Sequence, residues 1–119
     1  MLKKDYLMDM IDDRGRLLAK ILFHKEITDY VVPEENSFGE ADHLHIQLIE
    51  LLQQGEINEA ENKLLESINP QDRRYLEAAI DFYVRLNRLE DDFLEEHQYS
   101  REEIKEGLEM VEKKYGISI

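Results

Sequence analysis

The stretch Glu40-Ala41-Asp42-His43-Leu44-His45 gathers four side chains that could bind a metal ion or move a proton. Glu40 and His43 stand three residues apart. That is the Glu-x-x-His spacing with which paired helices of a bundle hold a di-iron centre. Such a centre takes the same motif from a second helix and two further glutamates, and no second Glu-x-x-His occurs in the chain. His43 and His45 fall about 200° apart around a helix, so they do not readily share one metal. The segment therefore reads as a surface histidine pair beside a helix cap, with no metal or cofactor assigned to it.

The remaining chemistry is sparse. His24 and His97 are isolated and sit where helices should end, a position that suits a cationic side chain. The serines are Ser37, Ser67, Ser100 and Ser118; two have capping spacing and none lies in a nucleophile-elbow motif. No phosphate-cradling glycine run is present. The absence of cysteine removes thiol nucleophiles, disulfides and Cys-ligated zinc, and fits a reducing, cytoplasmic setting. Carboxylates are so abundant that pairing any two as acid and base is arbitrary. The expectation is a protein without catalytic residues, and not an enzyme.

Charge narrows the partners. The net charge is -13, split as -2 over residues 1–39 and -11 over residues 40–119. An acidic surface repels phosphate backbones, which argues against nucleic acid and anionic membranes. Between Glu90 and Glu112 stand ten carboxylates: Glu90, Asp91, Asp92, Glu95, Glu96, Glu102, Glu103, Glu106, Glu109 and Glu112. Only Arg101 and Lys105 oppose them. Most should face water, as a solvated face or a docking surface for a basic protein. No run is apolar enough to span a membrane, and Asp9, Asp12 and Asp13 interrupt any signal-like core after Lys3-Lys4.

The elements that position these residues are helical. With 119 residues, 42% of them hydrophobic, the chain can close one core, and no strand pattern appears. The spacing predicts helix one from about Lys4 to Phe23, apolar on most sides. It would be central to the fold or pair with a second copy. Gly15 in its middle marks a close helix contact or a kink. Residues 24–39 break the period around Pro33. Helix two starts near Ser37, whose spacing to Glu40 fits a capping box. Leu44, Leu48, Leu51 and Leu52 stripe it and Gly55 ends it. Helix three follows with Ile57, Ala60, Leu64 and Ile68, and stops at Asn69-Pro70. Helix four should run from near Gln71 or Asp72 to about His97. Helix five starts at Ser100, capped with Glu103, and stops at Gly116. The whole is one all-α domain of about five helices in antiparallel hairpins. It divides into a helix and loop (1–39), a hairpin (40–70) and a second hairpin (71–119).

The order Gly55, Ala60, Leu64, Pro70 resembles one tetratricopeptide repeat over residues 42–70. The proline falls about two residues early, and Leu44 stands where an aromatic is usual. A second resemblance lies in K-K-D-Y-L-x-x-x-I (3–11) and L-A-K-I-L-F-x-K (18–25). These look like the start of a family of small bacterial helical proteins of unknown function with tetratricopeptide-like folds. That resemblance implies a tetratricopeptide-like helical bundle and a protein-binding role, with no catalytic residues to carry over. The expected function is a non-catalytic interaction or scaffold module. The alternatives are a homodimer seamed by the N-terminal helix and, less favoured, a small-ligand or metal-binding helical protein.

Overall fold

The structure, a computed structural model, describes residues 2–29 and 39–117, with side chains over 6–21 and 39–117. The described residues form six helices: α1 (Leu2–Asp29), α2 (Glu40–Gln53), α3 (Ile57–Ser67), α4 (Arg73–Asn87), α5 (Asp91–Glu96) and α6 (Arg101–Lys114). No strand occurs among the described residues. α4 lies at the centre, against α1, α2 and α6. α2 also lies along α3, and α1 along α6.

The apolar spacing accounts for this arrangement. α2 buries Ala41, Leu44, Leu48 and Leu52, spaced so that all four lie on one face. α3 answers with Ile57, Ala60 and Leu64, the last two fully buried. α4 is buried nearly all round through Tyr75, Leu76, Ala79, Phe82, Tyr83 and Leu86, as a central helix must be. α1 enters the same core through Ile11 and Leu18. A Cβ at Gly15 would stand 2.8 Å from Val84 Cγ2, so the glycine marks a close approach of α1 to α4.

Some helix ends follow capping chemistry. Ser100 accepts a hydrogen bond from the Glu103 amide at 3.2 Å, as its spacing predicted. Gly55 takes φ +78° after α2, and the Glu56 amide reaches back to the Leu51 carbonyl at 2.9 Å. The start of α2 differs. Its cap is Gly39, whose amide donates to Asp42 at 3.0 Å. The Ser37 cap and the Pro33 loop lie outside the described residues, and α1 continues through His24 to Asp29.

The largest difference is in helix four, which stops at Asn87 although the apolar stripe continues through Leu89 and Phe93. A continuous helix would offer the Asn87 and Leu89 carbonyls to the amides four residues on. Instead the Arg101 guanidinium donates to both, at 2.6 and 3.0 Å. A side chain from α6 replaces two backbone donors, and the chain turns into α5. That gives six helices where the spacing suggested about five.

Candidate functional site

Arg101 is 6% exposed and belongs to a buried polar seam. Besides the two carbonyls it donates to Asn87 Oδ1 at 3.0 Å and to Asp91 at 2.8 Å. Asn87, fully buried, passes the chain onward: its amide donates to the Met8 carbonyl and to Asp12, both at 3.0 Å. One connected network thus joins α1, α4, α5 and α6. A second seam lies between α1 and α6, where Arg14 grips Glu112 with two hydrogen bonds. Glu112 is 4% exposed, and its hydrogen bonds raise the Arg14 pKa above its ordinary value against the cost of burial. A third joins α4 to α3. The Tyr83 hydroxyl donates to Glu61 at 2.7 Å. Burial, then the Glu61 charge, pushes the pKa of Tyr83 far above that of a free phenol. Tyr99, 2% exposed, is raised by the same two causes.

The residues singled out from sequence spread apart. Glu40 accepts from the Tyr75 hydroxyl at 3.4 Å. His45 meets Asp81 of α4 at 2.5 Å, and Arg85 shares that carboxylate. Burial alone would raise Asp81; the hydrogen bonds from His45 and Arg85 outweigh it and hold the pKa below the ordinary carboxylate value. So His45 ties α2 to α4. His97 bonds the Phe93 carbonyl at 2.8 Å and lies against Gly55, where a Cβ would stand 2.5 Å from its Nε2. The side chain of His24 is outside the described set. Among the described residues no group of three or more ligand-type side chains could hold a metal ion.

The ten acidic residues of the C-terminal segment also divide. Glu112 is spent on Arg14, Asp91 on Arg101, and Glu109 stands 3.9 Å from both Arg14 and Lys105. The other seven are exposed.

Two of the clefts on the described surface bear on function. One, of about 410 Å³, lies between α1, α2 and α4 and is lined by Arg16, Arg74 and Arg88 together with Asp12, Asp42 and Asp81. Its lining mixes both signs of charge, and several of these groups bond residues outside the six: Arg16 to Asp13, Arg74 to Asp72, Asp12 to Asn87, and Asp81 to His45 and Arg85. The other, of about 500 Å³, lies where α5 meets the start of α6. Leu7, Leu94 and Tyr99 form its apolar part, and Glu95, Glu102 and Glu103 line it. A flexible cationic side chain suits such a cleft, with its aliphatic stem on the apolar part and its charge among the carboxylates.

Sequence reasoning missed both the seams and this cleft. Two signals pointed to them. Asn87 interrupts an apolar stripe, and Arg101 places a cation in the first turn of a helix, against the dipole. Each is a charge or amide out of place for its position, and each is buried and bonded.

Residues 1–116 match the model of a protein family described as a family of unknown function (DUF6483), and the chain belongs to that family. No curated protein and no solved structure matches it. No helix among the described residues is long and apolar enough to cross a membrane.

Proposed function

We propose that this member of a family of unknown function is a non-catalytic, cytoplasmic interaction module that receives a basic protein on its α5–α6 face. The observation that carries the reading is the cleft of about 500 Å³ beside α5 and α6, apolar through Leu94 and Tyr99 and lined by carboxylates. The outer face of α6 continues the same chemistry. Glu103, Glu106 and Met110 lie at helical spacing, and Met110 is 46% exposed. An apolar residue set among acids suits a partner segment that is both basic and amphipathic. The order of neighbours supports the module reading. α2 lies against α3 and α4, and α4 against α6, so neighbouring helices follow one another as in a stack of hairpins. The acidic surface disfavours nucleic acid and anionic membranes as partners.

The test is capture of partners by the tagged full chain, compared with a Glu95→Lys/Glu106→Lys variant. Both residues are exposed, and neither caps a helix. The expected result is a basic protein that is retained at low salt, released as salt screens the contact, and absent from the variant. A partner held equally by the variant, or one that withstands high salt, overturns the assignment of this face.

A further inference from the structure

Among the described residues, α1 carries an apolar stripe that is only partly covered. Tyr6, Met10, Leu17 and Ile21 lie within about 60° of one another around the helix. They are turned roughly 100° from Ile11 and Leu18, which enter the core. Tyr6 is 65% exposed and Leu17 39%, while Met10 and Ile21 are half-buried. The helix is fixed on its other sides, by Gly15 against Val84 of α4 and by Arg14 on Glu112 of α6. The stripe is therefore presented by a rigid element rather than by a loose end.

The charges beside the stripe indicate what covers it. One flank carries Asp9, Asp13, Arg16 and Lys20, all exposed. The acids stand in the N-terminal half and the bases in the C-terminal half, and Asp13 meets Arg16 at 3.3 Å within the helix. The flank is neutral in sum, so it does not select a strongly charged partner. Its order is self-complementary when two copies run in opposite directions. With the two-fold axis between residues 13 and 14, Met10 faces the partner's Leu17 and Tyr6 faces the partner's Ile21. Asp9 then falls between the partner's Arg16 and Lys20, offset by about 3 Å along the axis from each. A parallel pair in register would set Asp9 on Asp9 and Arg16 on Arg16. We propose that the protein forms an antiparallel homodimer through this face of α1, an isologous contact in which one patch serves both copies. It uses residues other than those of the proposed α5–α6 docking surface, and either assignment can fail without the other. Sixteen residues of helix span about 24 Å. The contact is small, and the dimer should dissociate reversibly on dilution.

Sedimentation equilibrium over a wide concentration range tests the association. A monomer–dimer equilibrium is expected, weakened about tenfold or more by Tyr6→Lys with Leu17→Lys while the helical circular dichroism stays unchanged. Charge reversal tests the register independently of the stripe. Asp9→Lys/Asp13→Lys and Arg16→Glu/Lys20→Glu chains should each associate poorly alone and pair with one another when mixed. The chain has no cysteine, so single cysteines report direction. Asp13→Cys should form an intermolecular disulfide. Tyr6→Cys should not, because the two copies of residue 6 lie about 22 Å apart along the axis. A monomer at every concentration overturns the proposal. So does a dimer indifferent to the lysine substitutions, a mixture of the charge variants that fails to pair, or a Tyr6→Cys chain that cross-links as readily as Asp13→Cys.

Discussion

The α2–α3 hairpin and the assembly of α1, α4, α5 and α6 are held by different means. The hairpin rests on local rules: a left-handed glycine at Gly55, a small residue at Ala60 and the apolar Leu44, Leu48 and Leu64 beside it. The larger assembly adds polar seams between residues far apart in the chain, Arg101 to Asn87 and Arg14 to Glu112. A buried polar group costs little while it is bonded and much when its partner is lost. The hairpin should therefore yield gradually to substitution, whereas the assembly should fail at single positions.

The sharpest way to break that contrast is Arg101→Met. It fills much of the same space but leaves the Asn87 and Leu89 carbonyls and the Asn87 side chain without their donor. A loss of about 3–5 kcal/mol is expected in urea unfolding. Asp91→Asn, at the half-exposed end of the same seam, should cost under about 1 kcal/mol. If Arg101→Met costs as little as Asp91→Asn, the seam is not what sets the end of α4.

Next in size is the Arg14–Glu112 pair. Arg14→Met and Glu112→Gln should each cost about 2–3 kcal/mol. Each single variant strands the other charge, whereas the double variant strands none and should cost clearly less than their sum. Strict additivity in this double-mutant cycle would show that the two side chains act separately.

Alkaline pH probes the Tyr83 and Tyr99 contacts. Burial, then Glu61, raises both groups above the ordinary tyrosine value of 10.0. Below pH 10 both states are protonated, and stability does not depend on these groups. Above it the unfolded chain ionises first, so stability falls by about 1.4 kcal/mol per pH unit for each group. Tyrosinate absorbance from these two rings should appear together with loss of helix. Early ionisation in a still-folded protein would contradict the burial. Asp81 has the opposite sign. Its folded value is depressed, so its contribution is present at neutral pH and fades as pH falls below about 4.

How much was legible in the sequence follows the same division. Gly55, Ala60, Leu64 and the Ser100 cap were readable because each acts within a few residues, where spacing alone specifies geometry. The length of α1, the stop at Asn87 and the burial of Glu112 were not. Nothing near Asn87 in sequence ends a helix; the cause is a guanidinium fourteen residues away. Glu112 looks like any acid on an amphipathic helix until Arg14, 98 residues earlier, is brought to it. The Glu40–His43 spacing is real. It serves Tyr75 at Glu40, and the neighbouring His45 serves Asp81, because α4 lies across that face.

The smallest expected effects return to helix ends, where the two regions can be compared at matched geometry. α2 ends at Gly55 with φ +78° and α5 at Gln98 with φ +56°. Each is followed by an amide reaching back five residues, Glu56 to Leu51 and Tyr99 to Leu94, both at 2.9 Å. The hairpin uses glycine where the left-handed conformation costs nothing, and the assembly accepts a side chain there at about 1 kcal/mol. Gly55→Ala should destabilise by about 1–2 kcal/mol, from backbone strain together with collision with His97, and His97→Ala should relieve part of it. Gln98→Gly should do the reverse and raise stability by up to about 1 kcal/mol, measured as a higher urea midpoint with an unchanged slope. Gln98 is exposed. If Gln98→Gly instead destabilises, the gain in unfolded-state entropy exceeds the strain released. The turn would then be held by the packing of Tyr99 and Leu94 around it rather than limited by its own backbone.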